Sequence, residues 1–494
     1  MTNQKMTNYR WMICAMLFFA TTINYMDRQV LSLTWKDFIA PEFHWNDDHY
    51  GTIAAIFALV YAFSMLFAGR IIDWMDTKKG FLWAIFIWSI GACLHAFCGV
   101  ATMWWVGAED VEALKAISDV KTVATIINVS VILMIFARVV LAVGEAGNFP
   151  AAIKATAEFF PKKERSLATS LFNFGSSAGA LVAPVTIPVI ALKYGWDWAF
   201  LIIGALGFIW MGFWVFVYKK PEKHPKINKK ELEHILQDKE VIEGQKDKKL
   251  SWGQCFKFRQ TWSFAFGKFM SDGVWWFLLF WAPAYLSDVY GLKSSDPQAQ
   301  LAIFIIYAIT LLSIIGGWLP SFFINKKGMD PYAGRMRSML IFAFIPVIVL
   351  LAQPLGAYSF WYPVIIIGIA AAAHQSWSAN IFTTVSDMVP KSAVATVVGI
   401  GGMAGGIGSF IINKGSGMLF TYASGTTMLN GKETEMTKDL LAQGAAFVRG
   451  PMTFMGFEGK PAGYFIIFCI CSVAYLIGWS VMKGLVPKYK VIEV

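Results

Sequence analysis

The sequence predicts an all-α membrane protein of twelve transmembrane helices in two pseudo-symmetric six-helix halves. Three observations predict it. The 494 residues are 56% hydrophobic and only 15% charged, more apolar than a soluble chain of this length needs. The apolar residues gather into twelve runs, each near the roughly 20 residues that a bilayer crossing takes. Two short stretches recur at matching places in the first and second halves of the chain, as they do in repeat-built membrane proteins.

The runs lie near 11–34, 50–72, 81–106, 123–148, 166–191, 198–218, 262–286, 300–324, 336–356, 360–386, 393–418 and 462–483. The first is long, lacks a small-residue cleavage site, and is expected to be a retained span rather than a signal peptide. A charged segment, 219–260, divides the spans six and six. This gives a half at 1–218, a central cytoplasmic loop, and a half at 261–494. The net charge of +10 comes from Lys and Arg in short loops on one side, which the positive-inside rule assigns to the cytoplasm. Both termini are then cytoplasmic, membrane lipid is the surrounding partner, and nucleic acid is not expected. The six cysteines form no disulfide framework or metal pattern.

The recurring stretches are Gly69-Arg70-Ile71-Ile72-Asp73 leading to Lys78-Lys79-Gly80, and Gly317-Trp318-Leu319-Pro320-Ser321 leading to Lys326-Lys327-Gly328. PKKERSLATSLFNFGSSAGA (161–180) likewise resembles PKSAVATVVGIGGMAGGIGS (390–409). Two insertions, 108–121 and 421–461, fall outside and carry no recognisable chemistry.

The first span holds INYMDRQVLSL, with Asp27 and Arg28 side by side. A charge at mid-bilayer costs about 2.5–3.5 kcal/mol on the insertion scale, so it faces a partner or a cavity. The fourth span holds Arg138 and Glu145. Seven residues apart, they share one face about 10 Å from each other. These four charges sum to zero. They serve either as static ion pairs, Asp27 with Arg138 among them, or as a proton and anion site. In the second case a carboxyl whose surroundings change loads and unloads a proton, while a free arginine fork takes a carboxylate.

Further along, Tyr25 and Tyr61 stand in the first and second spans, and Asn173 and Ser176 in the fifth. Lys268 and Asp272 lie one turn apart in the seventh: an ion pair, or contacts for an anionic sugar. Trp275, Trp276 and Trp281 follow, with packing the simpler role for each. His374, Gln375, Ser376, Ser378 and Asn380 make the tenth span polar, and uncharged amides and hydroxyls suit sugar hydroxyls. GIGGMAGGIG in the eleventh lacks the Lys-Ser/Thr ending of a phosphate loop and is expected to let helices approach closely. Asn413 and Lys414 are placed near its outer end, where a lysine can snorkel. No catalytic constellation stands out, so an enzyme is not expected.

GRIIDWMDTKK resembles the inter-span signature of the major facilitator superfamily. NYMDR, RVVLAVGEAGNFPA and FFPKKERS resemble its anion:cation symporter branch. GKFMSDGVWWFLLFWAPAYL, AHQSWSANIFTTVSDMVP and VVGIGGMAGGIG are most similar to that branch's hexuronate transporters. The resemblance implies proton-coupled uptake of galacturonate or glucuronate across a bacterial inner membrane, by alternating access, with no cofactor beyond the proton. A monomer suffices for such a fold. Residue by residue, it implies Arg28 for substrate, Glu145 as the main coupling carboxylate, and Asp27 with Arg138 as a second protonatable pair. It puts Tyr25 and Tyr61 on the substrate. Ser176 departs from the pattern, since relatives often carry glutamine or threonine there. A transporter of another organic anion, such as an aldonate, or a non-transporting sugar-acid sensor, is the alternative.

Overall fold

Twelve long helices make up the computed structural model, which describes residues 5–237, 252–389, 391–429, 432–435, 446–490 and 492. The first six are α1 (Tyr9–Thr34), α2 (Asp47–Met75), α3 (Thr77–Val106), α4 (Val120–Glu145), α5 (Lys162–Tyr194) and α6 (Trp196–Val217). The last six are α7 (Arg259–Tyr290), α8 (Pro297–Lys327), α9 (Pro331–Gly356), α10 (Trp361–Met388), α11 (Lys391–Ala423) and α12 (Lys460–Leu485). Each expected run coincides with one of them, though 123–148, 198–218 and 360–386 overrun the helix ends at Glu145, Val217 and Trp361. Residues 238–251 of the central segment, and parts of the second insertion, lie outside the described residues.

Ten of the twelve are apolar enough along a continuous stretch to be recognised as spans by hydropathy. The two that fall short are α1 and α7. They carry the buried polar residues Asn24, Asp27, Arg28 and Gln29, and Lys268 and Ser271. Polarity inside these two helices is tolerable because these polar residues are turned into the protein interior.

Local sequence sets the helix ends. Asn46 caps α2 by accepting from the His49 N–H at 3.1 Å, and His49 Nδ1 accepts in return from the Asn46 N–H. Asp330 caps α9 ahead of Pro331. Gly328 closes α8 with a left-handed backbone, φ +64°, which glycine adopts without strain. The two Lys-Lys-Gly stretches therefore sit differently. Residues 78–80 lie in the first turns of α3, because Asp76 breaks the chain before them. Residues 326–328 end α8. The loops are equivalent; their turns are out of phase. Helix α4 stops at Glu145, short of the expected 148, and a separate helix, Asn148–Phe159, follows.

Helix α11 runs along both α2 and α7, α1 along α5, and α3 along α4. The glycines of α11 permit this. A Cβ on Gly51 of α2 would lie 2.9 Å from the Gly417 Cα, and one on Gly406 would collide with Ala62.

The two ends of the bundle differ. At the end that carries the termini, the central segment docks on the N-terminal half. Glu231 accepts from the backbone N–H of Tyr9 and of Arg10, both at 3.1 Å, and so caps α1. Arg10 also pairs with Glu164 at 2.9 Å. Burial pushes the Glu231 carboxyl up, but hydrogen bonds from Thr7, Arg10 and Tyr9 outweigh it and hold the carboxyl below its ordinary value.

At the far end the halves are tied together. Lys36 bridges Asp47 (3.1 Å) and Asp288 (2.9 Å), and Lys460 bridges the same two carboxylates (2.5 and 3.5 Å). Each half thus gives one lysine and one aspartate to a ring of alternating charge. Lys414, expected to snorkel, instead meets Asp48 at 2.5 Å. Asn413 accepts from the Trp281 indole at 3.0 Å. The Tyr50 hydroxyl donates to the Phe280 carbonyl at 2.8 Å.

The insertions cover this far end. Residues 108–121 contain a short helix, Val111–Ala116, pinned by fully buried Leu114. Among the described residues of 421–461 three antiparallel strands form, Thr426–Leu429 between Lys432–Glu435 and Ala446–Arg449. A small hairpin, Thr453–Phe454 with Phe457–Glu458, follows.

Candidate functional site

Helices α1 and α4 bring their charges together in the interior. Arg28 Nε donates to Glu145 Oε2 at 2.8 Å, and neither group has appreciable access to solvent. This corrects two expectations. Arg28 is not a free fork, and the ion pair between these helices is Arg28–Glu145 rather than Asp27–Arg138. Asp27 is fully buried, and among the described residues neither of its oxygens has a hydrogen-bond partner. Arg138 lies over the Phe57 ring at 5.1 Å, with its Nη1 unpartnered among the described residues. Where α1 meets α4 there is thus one closed ion pair and, beside it, a carboxylate and a guanidinium not bonded to each other.

Arg28 is also enclosed by aromatic rings. Its Cζ stands 5.0 Å from the Tyr25 ring centroid and 4.5 Å from that of Tyr61. Both tyrosines thus touch the guanidinium expected to hold the anion. Its Nη2 has no hydrogen-bond partner among the described residues.

Asn173 of α5 is exposed and Ser176 half-buried. On a helical wheel both point away from the side carrying Leu167, Leu171 and Phe174. The polar pair lies off that apolar side, with Asn173 open and Ser176 partly covered. Ser176 Oγ donates to the Asn173 carbonyl at 2.7 Å.

In the C-terminal half Lys268 pairs with Asp272 at 2.7 Å, as their one-turn spacing allows. The pair fits against α11 because Gly405, facing Asp272, has no side chain. His374 Nδ1 shares a 2.7 Å hydrogen bond with the Tyr475 hydroxyl, and its ring stacks on Trp275 at 5.0 Å and 7°. Tyr475 is a participant that the sequence reading missed. It is a tyrosine in an apolar span with no charged neighbour in sequence, and only packing of α12 on α7 brings it here.

The tenth helix divides by role. Asn380 donates to the carbonyls of Gly316 and Ser376, both at 2.8 Å, and Ser376 donates to Ala372 at 3.0 Å. Asn380 is therefore committed to the backbone of α8 just past its 3-10 turn, Thr310–Ile314. It secures that irregularity and is not turned toward the cavity. Gln375 and Ser378 are half-buried. In the first half of α10 the exposed residues include Tyr362 and Ile365. In the second half exposure moves round the helix to the side of Gln375, Ser378 and Phe382. Exposure thus changes face along this helix.

The interior thus presents an N-terminal wall of two buried acids and two buried bases and a hydrogen-bonding C-terminal wall. It is closed by ion pairs at the far end.

A hexuronate transporter of Escherichia coli (strain K12) is 28% identical over 412 residues, covering 82% of this chain and 86% of that protein. A galacturonate transporter of Dickeya chrysanthemi is 27% identical over 322 residues, 65% of this chain and 84% of its own length. Among solved structures, a bacterial homologue of the human lysosomal transporter Spinster superposes with TM-score 0.65 at 19% identity, covering 97% of both chains. A D-xylose–proton symporter does so with TM-score 0.64 at 15% identity, covering 98% of this chain and 100% of its own. The Major Facilitator Superfamily model matches residues 17–412. With twelve helices in two halves, the chain belongs to the Major Facilitator Superfamily.

Proposed function

We propose that the protein is a proton-coupled symporter that imports a hexuronate, galacturonate or glucuronate, by alternating access. It does so across a bacterial inner membrane with both termini in the cytoplasm. The observation that carries this reading is the buried Arg28–Glu145 pair. While Glu145 is charged it occupies the guanidinium, and a substrate carboxylate must compete with it. A proton on Glu145 removes that competitor and leaves Arg28 to the sugar acid as a charge-assisted contact. Proton and anion are then taken up together for an electrostatic reason: an unpaired buried guanidinium is costly. Asp27, close to Arg138 but not bonded to it, is the second site where a proton is held. Lys268, Asp272, Gln375 and Ser378 meet the sugar, and His374 orients that wall through Tyr475. With the termini inside, the closed far end makes this an inward-facing state. No cofactor takes part, and a single chain contains the whole site.

Proteoliposome uptake of labelled galacturonate under an inward proton gradient tests this. Gradient-driven accumulation by the wild type, lost in Glu145→Gln with exchange retained, is the expected result. Accumulation that follows sodium and ignores the proton gradient overturns the coupling. Transport of galactarate or an aldonate in place of any hexuronate overturns the substrate.

A further inference from the structure

Helix α7 lends the anion site one residue not used so far. The Trp276 indole lies over the Arg28 guanidinium, 5.3 Å from Cζ to the ring centroid. Tyr25 and Tyr61, the other rings around that group, belong to the N-terminal half; Trp276 belongs to the C-terminal half. Its ring is 9% exposed. It packs against Phe57 and Tyr61, each at 5.8 Å, and against Phe280 at 5.1 Å. One turn along α7, the Phe280 carbonyl receives the Tyr50 hydroxyl as part of the far-end closure. The indole therefore touches the anion-binding cation on one side and the closed gate on the other.

A guanidinium at 3% exposure has lost its water, and ring faces replace part of that solvation. The two tyrosines travel with Arg28 when the halves rock. Trp276 does not. Movement of α7 against α2 removes one of three faces from the cation.

We propose that Trp276 is a positioning residue for Arg28. Its ring face holds the guanidinium in the orientation that meets the substrate while the far end is closed, and it withdraws when that end opens. The proposal rests on Arg28 being the anion contact. The role needs a π surface, so an aliphatic side chain of comparable bulk fills the space without performing it.

The first test needs no substrate, so it stands even if the hexuronate reading fails. Purified wild type, Trp276→Phe and Trp276→Leu are treated with phenylglyoxal, and modification of Arg28 is followed by peptide mass spectrometry. We expect Trp276→Leu to react about 3–30-fold faster and Trp276→Phe to stay within about twofold of wild type. Equal rates in the two variants overturn the proposal. The second test uses whichever sugar acid the wild type carries. Trp276→Leu is expected to raise KM about tenfold with Vmax within about threefold, and Trp276→Phe to restore KM. A fall in Vmax at unchanged KM makes Trp276 a packing or gating residue and overturns positioning. If Trp276→Leu cannot be purified, Trp276→Met carries the same comparison.

Discussion

Arg28 of α1 and Glu145 of α4 meet at 2.8 Å in the interior, 117 residues apart in sequence. Each neutralises the other, so neither is available to a ligand until the other changes state. Removing one partner of such a pair costs about 2–5 kcal/mol. Arg28→Lys keeps the charge but loses the planar fork. We expect its KM for the sugar acid to rise at least tenfold, measured by counterflow, with Glu145→Gln retaining exchange in the same assay.

Asp27 has no hydrogen bond to lose among the described residues. Asp27→Asn is isosteric and is expected to melt within about 2 °C of wild type. Uptake by this variant should lose part of its dependence on external pH while Glu145 continues to titrate. An unchanged pH profile refutes a proton-carrying role for Asp27.

The far-end contacts predict conformational bias. Lys414 and Asp48 are partly exposed, and such a pair contributes about 0.2–1 kcal/mol. Lys414→Asp puts two carboxylates face to face. We expect several-fold faster maleimide labelling of a cysteine at position 57 from the far side. The swap Asp48→Lys with Lys414→Asp should return labelling toward the wild-type rate.

Two neighbours on α10 should behave oppositely. Asn380→Ala leaves the Gly316 carbonyl without its donor and is expected to destabilise by about 1–3 kcal/mol, read as a lower melting temperature in detergent. Gln375→Ala should leave melting unchanged and raise KM. If both act on KM alone, the division of this helix is wrong.

Glu231 gives a pH prediction outside the membrane. Its carboxyl is held below the ordinary value in the folded protein. A depressed folded value contributes stability above the unfolded value, about 4.3, and loses it as the pH falls through the folded one. Glu231→Gln should therefore melt lower than wild type at pH 7. The gap should close as the pH drops below about 4.

The sequence by itself determined the twelve spans, the two halves and the positions of the buried charges. Those follow from one-dimensional facts: apolar run length against bilayer thickness, lysine and arginine bias, and the cost of a charge in hydrocarbon. The close approach of α11 was legible for the same reason, since glycines at helical spacing have few other uses. Tertiary structure alone decided which charge meets which. Asp27 and Arg28 are neighbours in sequence, yet successive residues leave a helix about 100° apart, and the placement of α4 selects Arg28 for Glu145. The same geometry turns Asn380 to the α8 backbone while Gln375 and Ser378 stay half-buried. It also brings Lys36, Asp47, Asp288 and Lys460 into one ring from four distant helix ends. A pattern along a chain fixes which residues leave the water; their partners depend on how the helices cross.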